Sequence, residues 1–314
     1  MRIAVMGAGG VGGYFGGRLS AAGHDVAFVA RGAHLAALRR DGLRIASEAG
    51  DLHLPAVTVT DDPAGLAEWR ADTGVPPAVV VVAVKLADTE AAGAAIAPLV
   101  GPETVVLSLQ NGVDGPALLA RHVPASAIRA GAAYISAFVD PPGTIRQTGR
   151  HARLVLGEPG GGAAPWLDAF AKAVRAAGGE VRIAGDIEAE LWAKFAMLAP
   201  FAALTAATGH SAGVIRADPE TRALFAEAVA EVVAVARARG VALPQDVETR
   251  ILGDLDRLPE AMIASMAHDR ARGAPLELPW LSGTVARLGA EAGVPTPVHR
   301  VLAATLAPDV AGKG

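Results

Sequence analysis

Short apolar runs alternate with helix-length segments through the first half of the chain. Residues 3–6 form an apolar run that reads as a strand, residues 10–22 carry helical spacing, and residues 26–29 make a second strand. Residues 79–84 are a nearly unbroken β-branched run, as expected of a parallel strand covered on both faces, and 105–109 are another. This βαβ rhythm predicts a doubly wound parallel sheet. Strands near 131–136 and 154–156 flank the turn Asp140-Pro141-Pro142-Gly143, which predicts a long hairpin at the sheet edge. The Gly/Ala/Pro stretch 159–165 reads as a loop, and 166–177 returns to helix.

After about residue 185 the pattern becomes helical throughout, over 187–207, 219–239, a shorter segment around 260–267, 280–292 and 298–306. Asp218 is placed to cap the second of these, with Pro219 at its first position and Gly240 just past its end. Pro200 is expected to kink the first. The expected fold class is α/β: a Rossmann-type parallel-sheet domain over residues 1–183, followed by an all-α domain over residues 184–314.

Composition narrows the function classes. A chain of 314 residues accommodates two domains, and 19% charged residues with 52% hydrophobic ones is the balance of a globular protein. A net charge of −4, with cations scattered, argues against nucleic acid as a partner. The absence of cysteine removes disulfides, thiolate nucleophiles and sulfur ligands, and the eight histidines show no metal-ligand spacing, so no metal is expected. The most apolar stretches, 79–84 and 195–204, fall short of the roughly 20 residues a bilayer requires. Met1-Arg2 followed by apolar residues superficially suggests a signal peptide, but glycines at 7, 9, 10, 12 and 13 fit a strand followed by a glycine turn better. The expectation is a cytoplasmic protein with a small-molecule substrate, monomeric or homodimeric.

Gly7-Ala8-Gly9-Gly10-Val11-Gly12 is a G-x-G-x-x-G sequence lying after a strand and opening a helix, the context in which that pattern binds a dinucleotide. Gly7 permits the tight turn, Gly9 the approach of backbone amides to a pyrophosphate, and Gly12 close packing of helix on strand. NAD enzymes place an acid at the end of the second strand; here Ala30-Arg31-Gly32 follows, and Asp25 lies at the wrong end. Arg31 is suited to a 2′-phosphate, which favours NADPH/NADP over NAD. Lys85 and Asn111 follow the two apolar strands and so sit at carboxyl ends, where such sheets bind ligands. Asn111-Gly112 is equally ordinary turn chemistry.

A carbonyl reductase requires a proton donor where negative charge grows on oxygen. Lys194 is a lone cation in Leu191-Trp192-Ala193-Lys194-Phe195-Ala196-Met197, and desolvation there would lower its pKa. Composition alone favours a lysine with its stem buried and its head in water. Ser265 and Glu277 are isolated polar residues that could equally decorate helix starts.

Together these positions resemble the ketopantoate reductase (2-dehydropantoate 2-reductase) family along essentially the whole chain. The matching pieces are Gly7 through Tyr14, Val29-Ala30-Arg31-Gly32, Val84-Lys85 with Asp88-Thr89, Leu109-Gln110-Asn111-Gly112-Val113 and Trp192-Ala193-Lys194-Phe195. Ser265-Met266 with Asp269 and Glu277, and Gly293-Val294-Pro295-Thr296-Pro297, complete the series. The resemblance implies that Lys194 protonates the ketone oxygen, that Glu277 holds the substrate hydroxyl and helps position the lysine, and that Ser265 contacts the substrate carboxylate. It implies that Lys85 and Asn111 lie where cofactor and substrate meet.

Two substrate-side positions depart from the family pattern: Leu198 and Met262 stand where asparagines are usual. A leucine cannot replace an amide that pairs with a substrate hydroxyl. The expectation is NADPH-dependent reduction of a 2-oxo acid, by default 2-dehydropantoate to pantoate in pantothenate biosynthesis. One alternative is an NAD(P)-linked D-2-hydroxy acid dehydrogenase for a larger apolar acid. Another is a non-catalytic NADPH-binding sensor, against which Lys194, Ser265 and Glu277 speak. Acyl- or phosphoryl-transfer motifs are absent.

Overall fold

The structure is a computed structural model that describes residues 1–66, 69 and 77–312. It divides into two compact units, one of residues 1–111 and 115–187, the other of residues 112–114 and 188–314.

The first unit is built on a mixed, largely parallel sheet of ten strands curled into a half-barrel. Its elements run β1 (Arg2–Met6), α1 (Gly10–Ala21), β2 (Asp25–Val29), α2 (Gly32–Asp41), β3 (Leu43–Ser47), β4 (Leu52–Leu54) and β5 (Thr58–Thr60). They continue with β6 (Val79–Val82), α3 (Thr89–Ile96), β7 (Val105–Ser108), α4 (Gly115–Leu119), β8 (Ile128–Val139), β9 (Thr144–Leu156), α5 (Pro165–Ala176) and β10 (Glu180–Ile183). The strand order is β4-β3-β9-β8-β7-β6-β1-β2-β5, with β10 beside β9. All four residues of β6 and of β7 are buried, because both sheet faces are covered; separate apolar clusters fill the two sides.

The long hairpin is present but does not lie at the sheet edge. β8 pairs in parallel with β7 and β9 in parallel with β3, so the hairpin is interior and the path ends in the short strands β4 and β5. Helix α1 packs against this hairpin as well as against β1 and β2. Gly13 and Gly17 meet Ile145 and Ile45 side chains, and Gly16 meets Phe28.

Among the described residues the second unit is helical, with short 3-10 turns: α6 (Ile187–Thr208), α7 (Ala212–Ala217), α8 (Pro219–Ala238), α9 (Val247–Arg257), α10 (Ser265–Ala271), α11 (Ser282–Ala292) and α12 (Pro297–Leu306). The helix expected around 260–267 instead begins at Ser265, because the preceding backbone is used elsewhere. Met262 donates its N–H to the Pro259 carbonyl and accepts from Ala212 N–H at 2.8 Å. Helix α6 runs as one element through Pro200. Its most apolar window has mean hydropathy 1.3, long and apolar enough to cross a bilayer, but 61% of that window is buried inside the protein, as in a core helix. Asp218 caps α8 as expected, its carboxylate accepting Thr221 N–H at 2.8 Å.

The joint between α11 and α12 accounts for the Gly293–Pro297 segment. Gly293 takes φ +70°, Val294 N–H returns to the Gly289 carbonyl at 2.8 Å, and Pro297 opens α12. The head of α12 is capped from another helix: Glu231 of α8 accepts the N–H groups of Val298 (2.7 Å) and His299 (3.0 Å). His299 itself is fully buried, its ring bridging Ser282 Oγ and the Ala228 carbonyl, both at 3.1 Å. Burial pushes its pKa down to about 4, so it is neutral at pH 7.

Candidate active site

In the first unit the glycine sequence makes the turn between β1 and α1. Gly7 takes φ +102°, where L side chains are strained, and a Cβ there would lie 2.9 Å from Val84 N. Gly7 and Ala8 N–H groups donate to the Val29 carbonyl at 3.2 and 3.0 Å, fastening the turn to the end of β2. Gly9 is the N-cap of α1, with no side-chain cap and no acid in the first turn, and a Cβ on it would meet open space. A pyrophosphate fits this arrangement, since backbone donors and the helix dipole face an uncrowded N-terminus. Gly12 abuts the Gly7 carbonyl and Val5, the helix-on-strand contact expected of it. Gly10 has a part that sequence reasoning missed: a Cβ there would come within 1.9 Å of the Ala137 carbonyl on β8. Val11, next on α1, is half-buried against the core.

Arg31 is the N-cap of α2 at the end of β2; it is exposed and lies 3.5 Å from the Asp88 carboxylate. Lys85 precedes a 3-10 turn, Leu86–Asp88, and Asn111 follows Gln110. The structure brings these two to the carboxyl ends of adjacent strands, since β6 and β7 pair in register from Val79↔Val105 to Val82↔Ser108. Gln110 fixes their spacing. Its buried amide donates to the Val84 carbonyl (3.1 Å) and Thr89 Oγ1 (2.7 Å) and accepts from Ser108 Oγ (3.1 Å). A polar residue directly after an apolar strand was the available signal, but nothing in the chain showed what it would bind.

In the second unit Lys194 lies on α6 between Trp192 and Phe195, which are buried edge to face at 5.7 Å between ring centroids. Lys194 keeps some accessible surface but is densely surrounded by protein, and that burial lowers its pKa to about 8. Leu198, one turn on and on the same face, packs against the helical core. Ser265 opens α10, and the residue before it ties that start to the far half of α6. Thr205 Oγ1 accepts Ala264 N–H at 3.4 Å while donating back to the Phe201 carbonyl. Met262 is 39% exposed, an unusual setting for a large apolar side chain.

Glu277 begins the 3-10 turn Leu278–Trp280 and is half-buried. Leu276 N–H donates to the Val310 carbonyl at 3.0 Å, which fastens that segment. Arg270, which sequence reasoning missed, links the pieces: it donates to the Ala206 carbonyl of α6 at 2.6 Å and pairs with Asp309 at 2.7 Å. Asp269 accepts Arg272 at 2.7 Å and takes Ala274 N–H on its carbonyl, a framework part. Among the described residues no cluster of metal-ligating side chains occurs.

A half-barrel Rossmann unit with a dinucleotide-type turn, joined in one chain to a helical unit, defines an oxidoreductase acting on CH–OH groups. More particularly, this chain belongs to the ketopantoate reductase PanE/ApbA family. The family model matches residues 3–161, and the model of its C-terminal part matches residues 186–308. A 2-dehydropantoate 2-reductase of Mesorhizobium japonicum is 32% identical, with 96% of each chain covered. The crystal structure of a PanE/ApbA family ketopantoate reductase from Ralstonia eutropha superposes with TM-score 0.87 at 33% identity, covering 98% of each chain. The ternary structure of D-mandelate dehydrogenase with NADH and anilino(oxo)acetate shares the fold at TM-score 0.85 and 19% identity, covering 98% of each chain.

Proposed function

We propose that the protein reduces a 2-oxo acid to the 2-hydroxy acid with NADPH, the first unit holding the cofactor and the second the substrate. The observation that carries this reading is Lys194, a desolvated lysine with its pKa lowered to about 8. A proton donor works best when its pKa lies near the operating pH. Gly7–Gly12 would hold the pyrophosphate of NADPH and Arg31 its 2′-phosphate, and the bound cofactor would supply the hydride. Lys85 and Asn111, at the strand ends, would lie toward its nicotinamide. Lys194 Nζ holds the proton and passes it to the ketone oxygen, Glu277 positions the lysine (and would hold the side-chain hydroxyl of 2-dehydropantoate, were that the substrate), and Ser265 binds the carboxylate.

The substrate class follows from Leu198 and Met262. Two apolar side chains replace amides, and Met262 is already exposed, so a 2-oxo acid with an apolar side chain suits them better than a polyol-like one. The alternative substrate is 2-dehydropantoate itself, which the 32% identical relative is named for.

The test is NADPH oxidation with 2-dehydropantoate beside branched and aromatic 2-oxo acids, repeated with Lys194→Ala. Removal of the lysine should lower kcat by about 10²-fold or more. The reductive rate should be level near neutrality and fall above pH about 8, as Nζ loses the proton it must donate. Comparable turnover of 2-dehydropantoate and the apolar acids would remove the argument from Leu198 and Met262. An unchanged rate in the variant would remove Lys194 from the mechanism.

A further inference from the structure

His34, on the first turns of α2, bridges two backbone segments that are far apart in sequence. Its Nε2 lies 2.8 Å from the Ala8 carbonyl in the glycine turn, and its Nδ1 accepts Gly143 N–H from the β8–β9 turn at 2.9 Å. A backbone N–H only donates, so Nδ1 must carry the lone pair and Nε2 the hydrogen. One tautomer of the neutral ring satisfies both contacts, and the imidazolium satisfies only one. Both peptide groups that flank Ala8 are thereby held, the one before it through Ala8 N–H by the Val29 carbonyl and the one after it through the Ala8 C=O by His34. The residue after Ala8 is Gly9, at which the amides of α1 begin. Gly143 is in turn seated on α2, where a Cβ would lie 3.0 Å from Ala37 Cβ.

Building on the reading of Gly7–Gly12 as a dinucleotide site, we infer that neutral His34 is a positioning residue for that turn. It locks the Ala8–Gly9 peptide so that the amides beyond Gly9 face the pyrophosphate, and protonation of the ring loosens the cofactor. Burial already lowers the pKa of the ring, opposed by its bond to Ala8. The charged groups on the elements around it are mostly paired. On α2, Arg31 pairs with Asp88, Arg39 with Asp61 and Arg40 with Asp41; on the hairpin, Asp140 pairs with Arg146 at 3.2 Å, Arg129 pairs with Glu158 and Arg153 lies over the Tyr134 ring; β3 carries Arg44. The glycine turn contributes none.

The experiment is the Kd of NADPH and, in parallel, of NADH, from about pH 5.5 to about pH 8.5, for the wild type, His34→Ala and His34→Gln. NADH has no 2′-phosphate to titrate, so a pH effect common to both nucleotides originates in the protein. The wild-type Kd for both should rise severalfold, by less than about tenfold, as the pH falls to the acid end of this range, because the ring's pKa lies below its ordinary value. His34→Ala should bind weakly with no such dependence, and His34→Gln, which keeps a donor and an acceptor, should recover part of the affinity while staying flat with pH. If His34→Ala does not fold, the slope in His34→Gln decides alone. A variant whose Kd tracks the wild type at every pH overturns the inference. Wild-type protein that binds neither nucleotide overturns the dinucleotide reading beneath it, a separate and recognisable result.

Discussion

Gly9 and Gly10 are adjacent, but their surroundings differ. A methyl on Gly9 meets nothing within 4 Å, whereas one on Gly10 would come within 1.9 Å of the Ala137 carbonyl. Gly9→Ala should therefore fold with its stability changed by less than about 1 kcal/mol, yet lose NADPH affinity, because the methyl occupies the approach of the phosphates. Gly10→Ala should lose about 3 kcal/mol or fail to fold, because backbone must move to admit it. Thermal melting beside NADPH titration separates the two cases. Equal effects on both readouts would count against Gly9 as a phosphate contact. The G-x-G-x-x-G pattern made the turn legible from the chain, since its glycines recur at a spacing that strand and helix impose. The parts of Gly10, His34, Gln110 and Arg270 were not legible, because each acts on backbone brought to it by tertiary folding.

Element identity was readable where one period dominates. Parallel strands covered on both faces leave unbroken apolar runs such as 79–82, and α8 carries its own start and stop residues. Pairing partners leave no such trace, so the β8–β9 hairpin looked like an edge although β7 and β3 flank it. The head of α12 is a similar case, since its cap comes from α8, more than sixty residues upstream. Glu231→Ala should cost about 1–3 kcal/mol in urea denaturation, because two N–H groups at the start of that helix lose their acceptor. Glu231→Gln, which retains one oxygen, should cost less. A loss below about 0.5 kcal/mol in the alanine variant would mean that water replaces the carboxylate at no penalty.

At the scale of the molecule, His299 links stability to pH. Its pKa in the folded protein is about 4, against an ordinary value of 6.5, so the unfolded chain takes up the proton first as the pH falls. The associated stability is fully present above about pH 6.5 and is lost as the pH falls toward 4. It amounts to on the order of 3 kcal/mol. Denaturation midpoints measured from neutral to acid pH should fall over that window, and His299→Asn should flatten this part of the profile. An unchanged profile in the variant would assign the acid sensitivity to other groups.

The second unit is discontinuous in sequence. Residues 112–114 belong to it although the chain then returns to the first unit for more than seventy residues, and Asp114 pairs there with Arg287 at 2.7 Å and accepts Thr284 Oγ1. This matters to anyone recombining relatives. A chimera spliced at 187/188 inherits Arg287 and Thr284 from one parent and position 114 from the other. Gene shuffling aimed at substrate preference therefore needs a three-residue insert carried across with the helical half, or it will report a mismatched splice as a change in specificity.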